Sequence, residues 1–570
     1  MCLPSFVDPR NIRYGSGGDA GCPGSFPGFS RENVPPAAPS RDWTVGMHFQ
    51  GPWTVRIVSF GSSRDGGGRD GVAENVSIST DATSAHVMAV RLAHWTALGW
   101  LVLRVQGVQM DPHRNNVDYV RAAASPTLPD DHPALVGNRR QGEHVPEQVH
   151  LGFGNGKDMV VSWVYDGKNK EKFETVHYGA KSGEYTAEKR AEHIVQYACE
   201  IDPCRGYLSG HIMHARLDDA SLIKPGKEVF YTIGKTEDEE FSFVVPPRPG
   251  DQVPLTISVV GDMGQTNNSL ATLKHMEDDE ADVVMIVGDL SYADGDQTRW
   301  DSWSRMIEPL ASRIPWLTTE GNHEMEIGVG GSWYVAYQSR FWTPGKEEPQ
   351  TSAPYNPPFN EWEVLVNPPD FGENAGLYHT YTVGPVKFIM LGTYTAYDKS
   401  SSQYKWLAKE LGRIDRTLTS WVVVGMHAPF YNTNFAHQME ANAMRVFLED
   451  LLYYSGVDIV FAGHVHAYER THQVYNDKLN SCAPTYITIG DGGNREGLEG
   501  GYYWPQPEWS AFREASYGHG KLKVENATHA HWEWLRNDDG DANSADSVWI
   551  VRNSQCSTAV PFSNGVHAIF

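Results

Sequence analysis

Between residues 256 and 470 an apolar run stops five times at a glycine or an acidic residue and hands over to a loop of unusual chemistry. "TISVV" leads to "GDMG", "DVVMIV" to "GDLSY", "PWLTT" to "EGNHE", "WVVVG" to "MHAPF" and "VDIVFA" to "GHVHAYER". Short β-branched runs bounded in this way read as buried strands. Helical segments lie between them. In "MRVFLEDLLYYSG", Met444, Phe447, Leu448 and Leu451 fall at i, i+3, i+4 and i+7, with Gly456 as the stop. Strands alternating with helices predict a layered α/β domain, whose sites form in the loops at strand ends.

Those loops offer Asp262, Asp289, Tyr292, Asn322, His323, His427, His464 and His466. Carboxylate, phenol, amide oxygen and imidazole suit iron, manganese or zinc rather than copper(I) or an iron–sulfur cluster. Seven or eight such ligands are too many for one ion, whereas two ions sharing a carboxylate would use them all. Alone, the His464-Val465-His466 pair reads equally well as a strand edge with imidazoles on opposite faces; the other four loops favour metal.

Upstream the texture differs. "MVVSWV", "FETVHYG", "HIMHARL", "VFYTIG" and "FSFVV", spread over residues 159–245, are short β-rich runs predicting an antiparallel β-sandwich with Trp163 in its core. His211 and His214 read as ordinary positions in one of those strands. "PPRPGDQVP" reads as a stiff connector to the α/β part. Residues 1–145, rich in Gly, Pro, Arg and Ser, show little periodicity and are expected to be loosely ordered.

The chain has 570 residues, long enough for more than one domain. Its 71 acidic residues against 47 basic ones give a net charge of −24, without the basic footprint that nucleic acid requires. The apolar window around "HWTALGWLVL" is too short and too charged at its flanks to span a membrane. "MCLPSFVDPR" lacks the pattern of a signal peptide. Asn75, Asn267 and Asn526 head Asn-x-Ser/Thr sequences and permit secretion. Cys199 and Cys204 are close enough for a local disulfide, two free thiols being the alternative.

"GDMG", "GDLSY", "GNHE", "GMHAPFYN" and "GHVHAYER" resemble, in order and spacing, the motif blocks of the metallophosphoesterases. Tyr292, three residues after Asp289, resembles the purple acid phosphatases in particular. The likeness covers about residues 146–552, including "YITIGDGGN" and "THAHWEWLRN", and it extends to the sandwich. It implies a fibronectin III-like N-terminal β-sandwich over 146–247, then an α/β metallophosphoesterase domain of two mixed β-sheets flanked by helices over 253–555. An N-terminal extension of 1–145 and a tail of 556–570 complete the chain.

The resemblance further implies that Asp262, Asp289, Tyr292 and His466 hold Fe(III). Asp289 would bridge to a divalent ion (Zn, Mn or Fe) held by Asn322, His427 and His464. The implied activity is acid phosphatase action on small phosphate monoesters by a metal-bound hydroxide, with an acid pH optimum. His323 or His437 would protonate the leaving group. Where the plant enzymes carry two adjacent histidines this chain has Ala436 before His437, which leaves the proton donor and substrate preference open. The resemblance also implies a secreted, vacuolar or lysosomal glycoprotein, with homo-oligomerisation open. Diphosphates, phytate or diesters as main substrates, and a non-catalytic scaffold, are the alternatives.

Overall fold

The computed structural model describes residues 124–137, 144–156, 158–199, 202, 204–234, 239–326, 332–344, 368–539, 544–553 and 556, with the backbone of three strands nearer the N-terminus. Those strands, Thr44–Phe49, Val55–Phe60 and Val76–Ile78, form an antiparallel sheet within a separate unit, 1–104. The remainder of the stretch expected to be loosely ordered, up to residue 123, lies outside the described residues, as do Asn75 and all of the expected tail except residue 556.

The β-rich stretch forms two four-stranded antiparallel sheets. One orders the strands Phe241–Val244, Glu228–Ile233, Thr175–Gly179 and Ala187–Arg190; the other orders Glu147–Phe153, Met159–Tyr165, His211–Leu217 and His193–Val195. Both sheets feed one buried cluster containing Val161, Trp163, Met213, Val176, Tyr178 and Tyr231. Trp163 is fully buried and its Nε1 donates to Phe173 O at 3.0 Å, so a polar atom in the core is satisfied. The five expected strands are present. Ala187–Arg190 is polar and His193–Val195 only three residues long, so neither carried an apolar alternation that would have revealed it.

The α/β part has two mixed sheets. In the six-stranded sheet, Trp316–Thr319, Val283–Val287 and Leu255–Val260 run parallel, and Gly518–Val524, His529–Arg536 and Asp546–Val551 continue it antiparallel. In the eight-stranded sheet, Val386–Met390, Trp421–Gly425, Ile459–Ala462 and Thr485–Ile489 are parallel neighbours. Alternation along each strand builds two layers of core. Ile257, Val259, Met285 and Val287 share one cluster with Met390, Val423, Phe461 and Ile487 of the other sheet. The opposite faces are covered by helices: Val284 and Ile286 by Leu273, Trp300 and Trp303, and Val422 and Val460 by Leu407, Met444 and Leu448. The expected helix spans Asn442–Tyr454, and Gly456 follows at φ 70°.

Polar side chains lock the sandwich to the α/β part. Fully buried Arg340 donates to Gln148 Oε1 at 2.7 Å, Asp301 Oδ1 at 2.9 Å and Tyr207 OH at 3.0 Å. His214 is an ordinary strand residue, bonded to Ser162 Oγ and Ser339 O. The segment 124–137 packs on the same body: Leu135 is buried and Leu128 N donates to Gln265 O. The Pro-rich connector is tied down rather than free, since Gly250 N donates to Gly384 O and Gln252 Nε2 to Leu418 O. Cys199 and Cys204 form a disulfide, and so do Cys482 and Cys556, a pair separated by 74 residues that spacing did not reveal. Among the described residues no helix is long and apolar enough to cross a membrane.

Glu308 sits at this junction, its Oε2 accepting from Val149 N at 3.0 Å. Burial pushes its pKa from the ordinary 4.5 up to about 8. A raised folded pKa gives stability that is complete below 4.5 and lost as pH rises toward 8. Urea unfolding of Glu308→Gln is therefore expected to show a variant that gains on the wild type across that window. A gap independent of pH would contradict the assignment.

Candidate metal centre and active site

Each of the five loops leaves the C-terminal end of a parallel strand, three in the six-stranded sheet and two in the eight-stranded sheet. The sheets face each other, so these ends converge. The structure gathers all eight side chains that the loops offer, and His437 joins them from the loop after His427.

Five of these nine residues share an unusual backbone geometry. Asp262, Asp289, Tyr292, His437 and His464 have φ of 54°, 52°, 52°, 51° and 69°, the left-handed region. Non-glycine residues there cost on the order of 1–3 kcal/mol each and cluster at functional sites. Neighbouring glycines allow the close packing. A Cβ on Gly321 would stand 2.0 Å from Asp289 Oδ1, and one on Gly463 would stand 2.2 Å from Asp262 Oδ2. That explains why "GN" and "GH" each begin with glycine.

Two sets of donors share one atom. Tyr292 OH lies 3.4 Å from Asp289 Oδ2, 3.4 Å from Asp262 Oδ1 and 3.0 Å from His466 Nε2, and His466 Nε2 lies 3.4 Å from Asp262 Oδ1. On the other side, His427 Nε2 lies 3.2 Å from the same Asp289 Oδ2 and 3.1 Å from Asn322 Oδ1. Asp289, His427 and His464 can bring one ligand atom each to within 4.8 Å of one another, as can Asp262, Asp289 and His466. Ligand atoms at right angles around an ion with bonds near 2.1 Å would stand about 3.0 Å apart, so residues at these spacings could hold an ion on each side of Asp289.

The donors are oriented by second partners. His427 Nδ1 bonds to Val287 O at 2.8 Å and Asn322 Oδ1 accepts from Tyr394 OH at 3.2 Å. Asp262 accepts from His464 N with both oxygens, at 3.0 and 2.9 Å, and Asp289 Oδ1 accepts from His323 N at 3.0 Å. Glu324, inside the quoted "GNHE", braces the turn: it accepts from Asp289 N, Leu290 N and Gly321 N at 2.8 to 2.9 Å.

The local field is strongly structured. Burial pushes His464 down to about 4, so its ring is neutral as a ligand must be. Burial also opposes a charge on His427, but Asp289 and Asp262 outweigh it and raise the pKa to about 9. For Asp289 burial is likewise outweighed, by His427 and His323, and its pKa is lowered. Burial, reinforced by Asp262 and Asp289, holds the Tyr292 phenol far above its usual range. A carboxylate-flanked phenol of this kind ionises only opposite a concentrated positive charge.

Around this centre lies a rim that the sequence did not disclose. Glu440 Oε2 stands 2.5 Å from His464 Nε2 and 3.1 Å from His437 Nδ1, and those contacts overcome burial to lower it to about 2. Asp294 hydrogen-bonds His323 Nδ1 and also pairs with Arg495, whose Nη1 donates to Tyr292 O. His323 Nε2 is left 3.8 Å from Asp289 Oδ2 and 3.7 Å from Glu496 Oε1, without a partner at hydrogen-bond distance among the described residues. No pattern marked Glu440, Asp294 or Glu496; only the loop course brings them here.

A fold of two mixed sheets with this donor set at the strand ends defines a metallophosphoesterase. Residues 255–468 match the Calcineurin-like phosphoesterase family and 483–547 match the Iron/zinc purple acid phosphatase-like protein C family. Purple acid phosphatase 18 of Arabidopsis thaliana is 41% identical over 444 residues, covering 77% of this chain and 91% of that protein. Fe(3+)-Zn(2+) purple acid phosphatase 12 of the same plant is 38% identical over 459 residues, covering 76% and 90%. The structure of a purple acid phosphatase from yellow lupin (Lupinus luteus) seeds shares the fold, with a TM-score of 0.61 and 24% identity over 75% of this chain and 78% of that one. The chain belongs to the purple acid phosphatase family.

Gly321→Ala drives a methyl group into Asp289 Oδ1 and tests whether this packing matters. The expected result is a folded protein by circular dichroism whose phosphatase turnover falls about 10²-fold, the scale of a 1 Å misplacement. Turnover within twofold of wild type would contradict it.

Proposed function

We propose that this chain is an acid phosphatase that hydrolyses small phosphate monoesters at a centre of Fe(III) and a divalent ion. The observation that carries the reading is the position of Asp289 Oδ2, at the edge of both donor sets. In this reading Asp262, Tyr292 and His466 join Asp289 around Fe(III), and Asn322, His427 and His464 join it around the divalent ion. Hard oxygen donors gather on the first side and imidazoles on the second, which matches the preferences of a trivalent and a softer divalent ion. The cation pair, when bound, neutralises phosphate oxygens and lowers the pKa of water.

The chain's own side chains do the rest. Asp289, Asp294 and Glu496 outweigh the effect of burial and raise His323 to about 10, so it is protonated in acid with Nε2 directed into the space beside Asp289. That places a proton donor near a leaving oxygen. His437, held by Glu440 and with its ring 3.8 Å from that of His464, offers a second donor from the opposite side. Ala436, where a second histidine would stand, instead packs with Leu498 against the cluster that holds Val465 and Tyr502, so it brings no second imidazole to this side.

The upstream sandwich, over 146–247, is in this reading the fibronectin-like domain of the family, and 253–555 the catalytic domain. Two disulfides favour an oxidising compartment, in keeping with a secreted or vacuolar protein.

The visible spectrum tests the centre. Tyrosinate on ferric iron gives a broad mid-visible band, expected in the wild type and absent from Tyr292→Phe at equal iron content. A colourless wild type replete with iron would overturn the assignment of Tyr292. For the proton donors, His323→Ala and His437→Ala are expected to lose more on alkyl than on aryl phosphates, within the 10²–10⁴-fold range of general-acid catalysis. Equal losses on both substrates would remove that role.

A further inference from the structure

The loop after His427 carries more than proton donors. Phe435 and Met439 stand two residues to either side of His437, and both are large apolar side chains left in water, 42% and 70% exposed. Asn434 pairs with Tyr502 as an antiparallel bridge, with Phe435 N donating to Gly501 O and Tyr503 N to Thr433 O, each at 2.8 Å. Behind this ribbon, Thr433 N and Oγ1 donate to the buried Glu469 carboxylate at 2.8 and 2.7 Å. The Phe435 ring packs edge-on against Tyr503, with centroids 4.9 Å apart and planes at 89°. Gly501 permits that packing, since a Cβ there would stand 2.6 Å from Phe435 Cδ2. Phe435 is thus fixed in place yet only partly covered.

Both sides of the ribbon are continuous with the metal centre. Glu499 N donates to His466 O at 3.0 Å, and Asn434 Nδ2 donates to Glu499 O at 2.6 Å. Glu440, next to Met439, touches both His464 and His437. Along the loop from His437 the side chains therefore change from imidazole and carboxylate to phenyl and thioether, with only a methyl group at Ala436. Charge narrows what this wall can receive. Residues 431–440 and 494–505 include a single Lys or Arg, Arg495, and it is committed to Asp294 and Tyr292 O. Glu440, Glu496 and Glu499 lie on the same two stretches. A leaving group carrying further phosphates would meet carboxylates there, with no uncommitted cation from these stretches to offset them. A flat, uncharged one would cover Phe435 and Met439, an aromatic ring and an adaptable thioether that both pack well against aromatic surface.

We propose that Phe435, Met439 and Tyr503 form a leaving-group subsite that selects phosphate monoesters of planar aromatic alcohols bearing no further phosphate. The inference rests on the reading that His437 faces the leaving oxygen of a monoester bound at the metal centre. The carbon skeleton of the ester then projects past His437 onto the side chains that flank it. A short alkyl alcohol leaves this wall uncovered, whereas a fused aromatic ring system reaches across it.

Paired aryl compounds of similar leaving-group basicity separate ring area from reactivity. Phenyl and 2-naphthyl phosphate serve for turnover, and phenylphosphonate and 2-naphthylphosphonate, which are not hydrolysed, for calorimetric binding to the metal-loaded full chain. Wild type is expected to show a kcat/KM about tenfold higher for the naphthyl ester, with the difference in KM, and about tenfold tighter binding of the naphthyl phosphonate, the scale of one aromatic contact. Phe435→Ala is expected to bring both ratios to within about twofold of one, and Phe435→Tyr to keep them near tenfold. Wild-type ratios near one, or ratios that Phe435→Ala leaves unchanged, overturn the subsite and leave the phosphatase reading intact. Tighter binding of the naphthyl phosphonate without hydrolysis of either ester supports the subsite and overturns the phosphatase reading. Binding of neither phosphonate overturns both.

Discussion

The structure is organised around a concentration of charge that water cannot screen. Asp262 and Asp289 are both buried, each 3.4 Å from the hydroxyl of Tyr292, and two ionised carboxylates so placed repel strongly at low dielectric. They are held by what surrounds them: imidazoles at 3.2 to 3.4 Å, and backbone N–H groups of residues 464 and 323 aimed at their oxygens. Only glycine walls leave room for that approach. The left-handed backbone at Asp262, Asp289 and Tyr292 is a cost that two sheets, packed face to face and backed by helices, can sustain.

Five of the parallel strands were legible in the sequence because strands buried on both faces must be continuously apolar and each of these stops at a loop of unusual chemistry, whereas the parallel strands Val386–Met390 and Thr485–Ile489 were not read. Donor residues followed from their place at strand ends. The antiparallel strands were legible where they contribute to the core, as with Trp163, and illegible where they are short, polar edges such as Ala187–Arg190. Glu440, Asp294 and Glu496 could not be read, since a carboxylate in a loop looks the same whether it faces solvent or a histidine. Nor could the Cys482–Cys556 pairing, which depends on where the chain returns after 74 residues. The family likeness reached His323 and His437, but only the fold brings Asp294 and Glu440 up to hold their rings.

The rest of the molecule fixes this centre in place. The sandwich is bolted to the helix Thr298–Ala311 through Arg340, Asp301 and Glu308, on the outer side of the sheet that carries Asp262 and Asp289. Glu324 ties the Asn322 loop to the Asp289 loop. Glu440 links a ligand-side histidine, His464, to a rim histidine, His437, so one carboxylate orients both. A dinuclear hydrolase needs this rigidity because its rate depends on the placement of charge rather than on large motions.

The most direct test of the shared carboxylate is anomalous diffraction from crystals of the metal-loaded protein. The account predicts two peaks about 3.5 Å apart, on either side of Asp289 Oδ2, with iron next to Tyr292. A single peak, or two peaks with no common contact to Asp289, would contradict it.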